Sequence, residues 1–382
     1  MMKALGGICP INSSMIFVME EKIVFKRAKF MEKSKGLRML KALHGDAFVL
    51  NCRKGENTGV VVVDGGPDKN SHQVVAEFEK LGDIDLMVLT HYDLDHIGGI
   101  LAYITKHKND RPFPVKEIWC NFAYELPISK SSDISYSHAN KLAFILSEIN
   151  EGLEKDGYTP VNWGKTLLAG MKINWPFADI DILSPEDDVK SQNDVYYSET
   201  YANISASHKR QKDALKKSLK ELAVNKKDNP SLKSRSDVVN WSSIGFKLEC
   251  DNIKVLMLGD GMPATIIKSL KKLGYCDENQ VKVDFVKMPH HGSKDNISNE
   301  LLDLIECNNY IISTNGGNGN SCHPDRETLG NILYHNKRDW TKCVNIYFNY
   351  SQSFIEANGY QFLNPEDEDI ALFEAHFDVE YL

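Results

Sequence analysis

One eleven-residue segment constrains this chain more than any other: Leu89-Thr90-His91-Tyr92-Asp93-Leu94-Asp95-His96-Ile97-Gly98-Gly99. It ends an apolar run, Ile84 to Thr90, that has the composition of a buried strand. Its metal-binding side chains are His91, Asp93, Asp95 and His96. The carboxyl end of a buried strand is where α/β proteins place reactive groups. We therefore expect these four side chains to converge in a tight loop, with a helix starting near Gly99.

Two later segments repeat this arrangement. Val255 to Leu258 runs into Gly259-Asp260-Gly261, and Val283 to Met288 runs into Pro289-His290-His291-Gly292-Ser293. Each is a weak signal alone, because a Gly-Asp turn is common and paired histidines are more often structural than catalytic. Three strand ends that all carry metal-binding side chains are a stronger signal, and together they predict one shared metal site.

Composition places the chain among soluble globular proteins. It has 382 residues with a net charge of −8, and 42% of its residues are hydrophobic, which excludes wholesale disorder. The uncharged run from Ala4 to Met19 is too polar to span a membrane and lacks the features of a secretory signal. The eight cysteines include no CxxC pair and indicate reduced thiols. We therefore expect a cytoplasmic protein that does not associate with a membrane.

The chain divides into a main domain and three less regular segments. Residues 1–36 form an N-terminal extension, residues 37–365 the main domain, and residues 366–382 an acidic C-terminal tail with seven acidic side chains. A basic helical insert is predicted at about 186–240, because residues 208–235 carry ten basic and three acidic side chains. The insert could grip a nucleic acid, although a solvated helix decorating the fold explains it equally well.

Six short motifs resemble those of a known family. They are His44-Gly45-Asp46-Ala47, Val63-Asp64-Gly65-Gly66, Thr90 to Gly99, Leu258-Gly259-Asp260, Pro289 to Ser293, and Cys322-His323-Pro324. Together they resemble the metallo-β-lactamase-fold hydrolases, and within them the ComEC-like branch of hydrolase domains. The resemblance spans roughly residues 37 to 350. It implies an α/β (α+β) fold, a four-layer αββα sandwich, with a site for two divalent cations.

The resemblance also implies a ligand set. His91 and Asp93 would hold one ion, Asp95 and His96 the other, and Asp260 would bridge both. A histidine of the pair His290 and His291 would complete the second site, and the sequence does not say which. Asp64 would support the ligands from behind, and Ser293, Lys294 and Asn315 could contact a phosphate, although Lys294 could equally be a solvated surface lysine.

The chain departs from the family pattern at two places. Asp93 stands where the family usually has a second histidine, and no histidine matches the ligand that normally lies between His96 and the bridging aspartate. The candidates in that interval are His107, His138 and His208, each of which is more often an ordinary surface residue. The first site is therefore expected to be poor in ligands. Carboxylate in place of imidazole shifts preference from zinc toward manganese or magnesium, so zinc and manganese both remain open.

The leading hypothesis is a metal-dependent phosphodiesterase, most plausibly a nuclease, in which a hydroxide bridging the cations attacks phosphorus. Asp95 and Asp260 would orient it, and His291 or His323 would protonate the leaving oxygen. The first alternative is a hydrolase of small phosphoesters, lactones or thioesters on the same fold. The second is a partner-binding module with a vestigial site. A nucleic acid is the expected partner, and the sequence indicates no protein partner.

Overall fold

The computed structural model describes residues 36–121, 134–191, 214, 217–223, 235–317, 322–357, 359–364, 367, 370 and 372–382. The predicted N-terminal extension, apart from Gly36, and most of the predicted basic insert lie outside these residues.

Within the described residues, the first sheet has five strands in the order β1-β2-β3-β4-β5. They are β1 (Leu37–Met39), β2 (Phe48–Lys54), β3 (Asn57–Val63), β4 (Ile84–Val88) and β5 (Val115–Trp119). The first three strands pair antiparallel, whereas β3, β4 and β5 pair parallel. The run of valines in β3 is continuous because both faces of this strand are buried.

The second sheet, in the part of the chain that the structure describes, has eight strands in the order β15-β14-β13-β11-β9-β8-β7-β6. They are β6 (Lys172–Trp175), β7 (Ala178–Ser184), β8 (Gly245–Glu249), β9 (Lys254–Met257), β11 (Phe285–Lys287), β13 (Asn309–Ile312), β14 (Val344–Phe348) and β15 (Phe373–His376). Strands β6 to β9 pair antiparallel, and β9, β11, β13, β14 and β15 pair parallel. A separate parallel pair joins β10 (Val281–Lys282) to β12 (Ile305–Glu306).

Helices cover the outer face of each sheet. In the described chain they are α1 (Ser71–Phe78), α2 (Leu94–His107), α3 (Ile134–Lys155), α4 (Leu219–Leu222), α5 (Arg235–Trp241), α6 (Pro263–Lys272), α7 (Asn299–Asp303), α8 (Arg326–Tyr334) and α9 (Gln352–Ile355). Short 3-10 turns span Asp68–Asn70, Pro289–Gly292 and Lys294–Asn296.

Three buried apolar clusters define the layers. Val61 and Val63 face the cluster between the two sheets, whereas Val60 and Val62 face helices α1 to α3, because successive side chains of a strand point to opposite sides. A third cluster packs α6, α7 and α8 against the outer face of the second sheet. The predicted four-layer αββα sandwich is therefore confirmed.

Helix α2 begins earlier than the sequence pattern predicted. It starts at Leu94 with Asp93 as its N-cap, so Asp95 lies in its first turn and not in a loop. The pattern was misleading because glycine is a poor helix former. Here a Cβ on Gly99 would lie 2.0 Å from the carbonyl oxygen of Gly65, so glycine is needed for the helix to sit directly on the backbone after β3.

The described part of the basic insert packs on the second sheet's helices. In α4, Leu219 and Leu222 are buried, and Ser218 forms a capping box with Glu221. A Cβ on Gly330 of α8 would lie 2.5 Å from the carbonyl oxygen of Leu219, so the two helices approach closely.

The acidic C-terminal tail forms regular structure. Its residues 373–376 are β15, the edge strand beside β14. Its last residues then pair with β1 of the other sheet: Met39 N donates to Glu380 O over 2.8 Å, and Leu382 N donates to Leu37 O over 2.8 Å. One short segment thus joins an edge of each sheet.

Candidate metal centre

Strand register brings the predicted side chains to one edge of the sandwich. Lys287 of β11 pairs with Met257 of β9, so Asp260 and His290 each follow their paired position by three residues. The first sheet reaches the same edge through β4, where Thr90 O accepts a hydrogen bond of 2.8 Å from Ile244 N, just before β8. The three strand ends therefore meet at one place.

One group of ligand atoms lies around Asp260. The Nε2 atoms of His91 and His96 are 3.9 Å and 3.6 Å from Asp260 Oδ2. All three side chains are buried, and their ligand atoms lie within 4.8 Å of one another. Asp93 Oδ2 is 3.8 Å from His91 Nε2 and is partly exposed. His290 Nε2 reaches the same carboxylate oxygen of Asp260, at 3.8 Å.

A second group lies around Asp95 and shares His96 with the first. His291 Nε2 is 3.3 Å from Asp95 Oδ2, and His96 Nε2 is 3.9 Å from the same oxygen. These three side chains also place their ligand atoms within 4.8 Å of one another. The seven predicted metal ligands therefore lie together, and their contacts form two adjoining groups.

The four imidazole rings of the centre are all held through the same ring atom, Nδ1. The ring atom Nδ1 of each lies near a hydrogen-bond acceptor: Ser243 Oγ at 3.1 Å for His91, Asp64 Oδ2 at 2.8 Å for His96, Asn296 Oδ1 at 3.1 Å for His290, and Ser313 O at 3.0 Å for His291. A proton on Nδ1 leaves the Nε2 lone pair free. Such hydrogen bonds fix both the tautomer and the direction of a metal-binding histidine.

These atoms fit a divalent cation. Within the described chain, Nε2 of His91, His96 and His291 and Oδ1 of Asp260 are buried without a hydrogen-bond partner. Each such atom costs about 1–3 kcal/mol of desolvation unless something satisfies it. Imidazole nitrogens and carboxylate oxygens form the donor set used by zinc and manganese. The residues present therefore suit the cations that the resemblance implies.

The pKa values of the buried aspartate and histidine side chains are shifted because these groups lie close together. Burial alone would raise the pKa of Asp260, but His290, His96 and His91 hold it well below the ordinary value. Burial lowers the pKa of His91 to about 3. The pKa of His96 is raised well above its ordinary value because Asp260, Asp64 and Asp95 outweigh the effect of burial. The Asp260 carboxylate is therefore ionised at neutral pH.

Two residues of this centre were given no role from the sequence, although Asp46 lies within one of the six motifs. Lys287 and Asp46 form an ion pair in which both side chains are at most 2% exposed. Lys287 Nζ also donates to Gly259 O over 3.2 Å and lies 3.9 Å from Asp260 Oδ1. Asp46 Oδ1 is 3.3 Å from His291 Nδ1. The available signal was a lysine inside an otherwise apolar strand, which is rarely buried without a charged partner.

The remaining predicted residues lie beside this cluster. Asp64 accepts hydrogen bonds from Thr90 N and Oγ1 as well as contacting His96, so it lies behind the ligands. The His323 ring centroid is 5.4 Å from that of His290, and its Nδ1 is 3.5 Å from Asp325 Oδ2. His323 therefore borders the side of the cluster formed by His290.

The three residues expected near a phosphate differ in environment. Ser293 is buried, and its Oγ accepts from Asp295 N. Lys294 Nζ is 3.2 Å from Glu327 Oε1, and both side chains are less than 15% exposed, so this lysine is not a solvated surface residue. Asn315 Oδ1 accepts from Gly317 N over 3.0 Å.

None of the described histidines between α2 and Asp260 joins the cluster. His107, at the end of α2, is 2.6 Å from Asp110 Oδ2, and neither His107 nor His138 belongs to a group that could hold a metal ion. His208 lies outside the described residues. Among the residues described, no helix is long and apolar enough to cross a membrane.

Comparison with known proteins gives one family match. Residues 41–170 match the family model of the metallo-beta-lactamase superfamily. The match covers β2 to β5 and helices α1 to α3, and it includes the segment from His91 to His96. No curated protein matches the chain.

Several solved structures are similar at low identity. A Cronobacter sakazakii metallo-beta-lactamase with a HARLDQ motif is 13% identical, with 69% of this chain and 82% of that chain covered and a TM-score of 0.30. The metallo-beta-lactamase GOB-18 from Elizabethkingia meningoseptica is 12% identical, with coverage of 77% and 88% and a TM-score of 0.32. The metallo-beta-lactamase fold protein YhfI from Bacillus subtilis is 10% identical, with coverage of 72% and 84% and a TM-score of 0.32.

Proposed function

We propose that this protein is a metal-dependent hydrolase, and that the bond it cleaves is a phosphodiester, most plausibly in a nucleic acid. The observation that carries the proposal is the convergence of four imidazole Nε2 atoms on the carboxylates of Asp95 and Asp260, from three strand ends in two sheets. The match of residues 41–170 to a superfamily of metal-dependent hydrolases supports it.

The chain's own residues would hold two divalent cations. His91 and Asp260 belong to one group of ligand atoms, and Asp95 and His291 to the other, while His96 lies in both. When bound, the cations would acidify a water molecule and neutralise charge on the substrate. The carboxylates of Asp95 and Asp260 are positioned to accept a hydrogen bond from that water and so to orient it.

A proton donor for the leaving oxygen lies beside the cluster. His323 is 14% exposed, and its Nδ1 is 3.5 Å from Asp325 Oδ2. The Asp325 carboxylate can orient the His323 ring, and the imidazole can then serve as a proton donor to the leaving oxygen. We assign the role of general acid to His323, because His291 Nδ1 is held by Ser313 O and its Nε2 faces Asp95.

The choice of a phosphodiester rests on the ligand set and on the sequence resemblance to the ComEC-like branch. Asp46, Asp64, Asp93, Asp95 and Asp260 surround the centre, and the buried Lys287 contacts it. Oxygen ligands favour harder cations such as manganese, which suit phosphate oxygens. A nucleic acid as partner and a cytoplasmic location remain parts of this proposal.

A substrate panel tests the proposal. Purified protein would be assayed with Mn²⁺, Zn²⁺ or Mg²⁺ on single-stranded DNA, double-stranded DNA, RNA, bis(p-nitrophenyl) phosphate, a lactone and a thioester. We expect metal-dependent cleavage of at least one phosphodiester and its loss in Asp260→Asn. Asp339→Asn is the matched control, because Asp339 contacts Thr341 and Lys342 away from the centre.

The outcomes separate the classes of hydrolase. Cleavage of the lactone or the thioester alone would replace the phosphodiester by a different bond while keeping the metal-dependent hydrolase. Absence of any metal-dependent hydrolysis on the whole panel would contradict the proposal and favour a partner-binding module.

A further inference from the structure

The two adjacent histidines after β11 have an unusual backbone conformation. His290 has φ of 47° and His291 has φ of 53°, so both are in the left-handed region. Residues other than glycine are uncommon there, and such strain persists only where the surrounding structure imposes it. Adjacent side chains on a regular strand would point to opposite faces. Here the left-handed pair turns both rings into the same cluster.

The two rings reach different carboxylates. His290 Nε2 is 3.8 Å from Asp260 Oδ2, whereas His291 Nε2 is 3.3 Å from Asp95 Oδ2. Their ring planes are 74° apart, with centroids separated by 5.9 Å. The two histidines are therefore not alternative ligands for the same cation. His290 places its Nε2 in the group around Asp260, and His291 places its Nε2 in the group around Asp95.

Separate hydrogen bonds hold each ring in place. His291 Nδ1 is 3.0 Å from Ser313 O at the end of β13. His290 Nδ1 is 3.1 Å from Asn296 Oδ1, and the amide Nδ2 of Asn296 donates to Asp260 O over 3.0 Å. Asn296 therefore fixes the position of the His290 ring relative to Asp260, whose carboxylate the ring faces. Such a bridge is expected of a group that fixes a metal ligand.

Among the described residues, no histidine from the interval between His96 and Asp260 joins the group around Asp260. The sequence offers His107 and His138 in the expected interval, and in the structure neither reaches the cluster. Without His290, the side chains around Asp260 would be His91, the partly exposed Asp93, and His96, which is shared with the group around Asp95. His290 is the imidazole whose nearest carboxylate is Asp260 and whose Nε2 has no role in the second group.

We propose that the histidine pair is divided between the two cations. His291 joins Asp95 and His96 at one cation, and His290 joins His91, Asp93 and Asp260 at the other. This inference rests on the proposed two-cation centre, and it makes His290 a metal ligand and not a second proton donor beside His323.

Metal stoichiometry tests the division without any substrate. Wild type, His290→Gly and His291→Gly would be dialysed against Mn²⁺ and analysed by mass spectrometry for metal and by electron paramagnetic resonance. Glycine adopts a positive φ freely, so these changes remove the ring and keep the backbone. We expect two ions in the wild type with the spectrum of a coupled pair. Each variant should keep one ion and give the spectrum of isolated Mn²⁺.

His323→Ala is the matched control, since its ring lies 5.4 Å from that of His290 and should not be a ligand; it should retain two ions. If a glycine variant fails to fold, His290→Asn is used instead, because asparagine tolerates left-handed backbone and its side chain is too short to replace Nε2. Two retained ions in the folded His290 variant would overturn the division and leave the proposed hydrolase intact. A wild type that binds fewer than two ions would overturn the division and the two-cation centre, whereas the hydrolase itself is tested by the substrate panel.

Discussion

Lys287→Met is the substitution that most directly tests how this centre is stabilised. The Lys287 ammonium is 1% exposed and contacts Asp46, Gly259 O at 3.2 Å and Asp260 Oδ1 at 3.9 Å. Methionine has a similar length and no charge, so the change removes the cation with little change in volume. Asp46 then remains buried without its principal counter-charge.

The expected cost follows from the burial of both partners. Removing one member of a buried ion pair costs about 3–5 kcal/mol, because the remaining charge is left uncompensated. Lys287 and His291 together hold the pKa of Asp46 well below its usual range despite burial, so the carboxylate is ionised at neutral pH in the wild type. We therefore expect Lys287→Met to lower the free energy of unfolding of the metal-free protein by about 3–5 kcal/mol.

Urea unfolding of chelator-treated protein at pH 7 measures this loss. The double variant Asp46→Asn/Lys287→Met should lose less than Lys287→Met alone, because it leaves no unpaired charge at position 46. Lys282→Met is the matched control: its side chain is 73% exposed and pairs with Glu306 at the surface, so a loss of at most about 1 kcal/mol is expected. The reasoning would be refuted by a loss below about 1 kcal/mol for Lys287→Met, or by a double variant that is no more stable than it.

Four further outcomes are expected. Chelation should abolish hydrolysis and lower the melting temperature, since a cation at 100 times its Kd stabilises the folded state by about 2.7 kcal/mol; an unchanged melting temperature in scanning calorimetry would count against a built-in cation site. The pKa of His291 is raised to about 9 because Asp46 and Asp95 outweigh burial, so its contribution to metal-free stability is present below about pH 6.5 and is lost as pH rises through about 9. Mn²⁺ affinity measured by calorimetry should conversely rise from pH 6 to pH 8 as protons leave Nε2, and a pH-independent affinity would contradict this. Ser243→Ala removes the 3.1 Å contacts of Oγ with His91 Nδ1 and Asp260 N and should weaken Mn²⁺ binding by about 10- to 100-fold; Ser242→Ala, whose Oγ donates to Val239 O, should not.

Local sequence patterns predicted the central strands well, and the side chains predicted as metal ligands lie close together in the structure. Strands β3, β4, β9 and β11 are largely apolar because their two faces are covered, and the metal-binding side chains follow β4, β9 and β11 closely. Such information is contained within ten or so residues of chain. Spatial convergence then follows from the way parallel strands place their carboxyl ends at one edge.

Features that depend on distant partners were not predictable in the same way. The start of α2 depends on the close approach of Gly99 to Gly65, which overrides the low helix propensity of glycine. The pairing of Lys287 with Asp46 joins two sheets and has no local signature. His290 has a positive φ although it is not a glycine, so the conformational preference of the residue type did not predict this backbone conformation.

The segment of residues 373–382 lies across the seam of the sandwich, because it is a strand of the second sheet before it pairs with β1 of the first. β1 is the terminal strand of its sheet, and an uncovered terminal strand exposes backbone groups that can recruit another chain. Arg38 reinforces this cover through ion pairs with Glu380 and Glu77. Truncation at residue 377 would therefore endanger solubility first, through strand-to-strand self-association, while the catalytic ligands themselves stay in the chain.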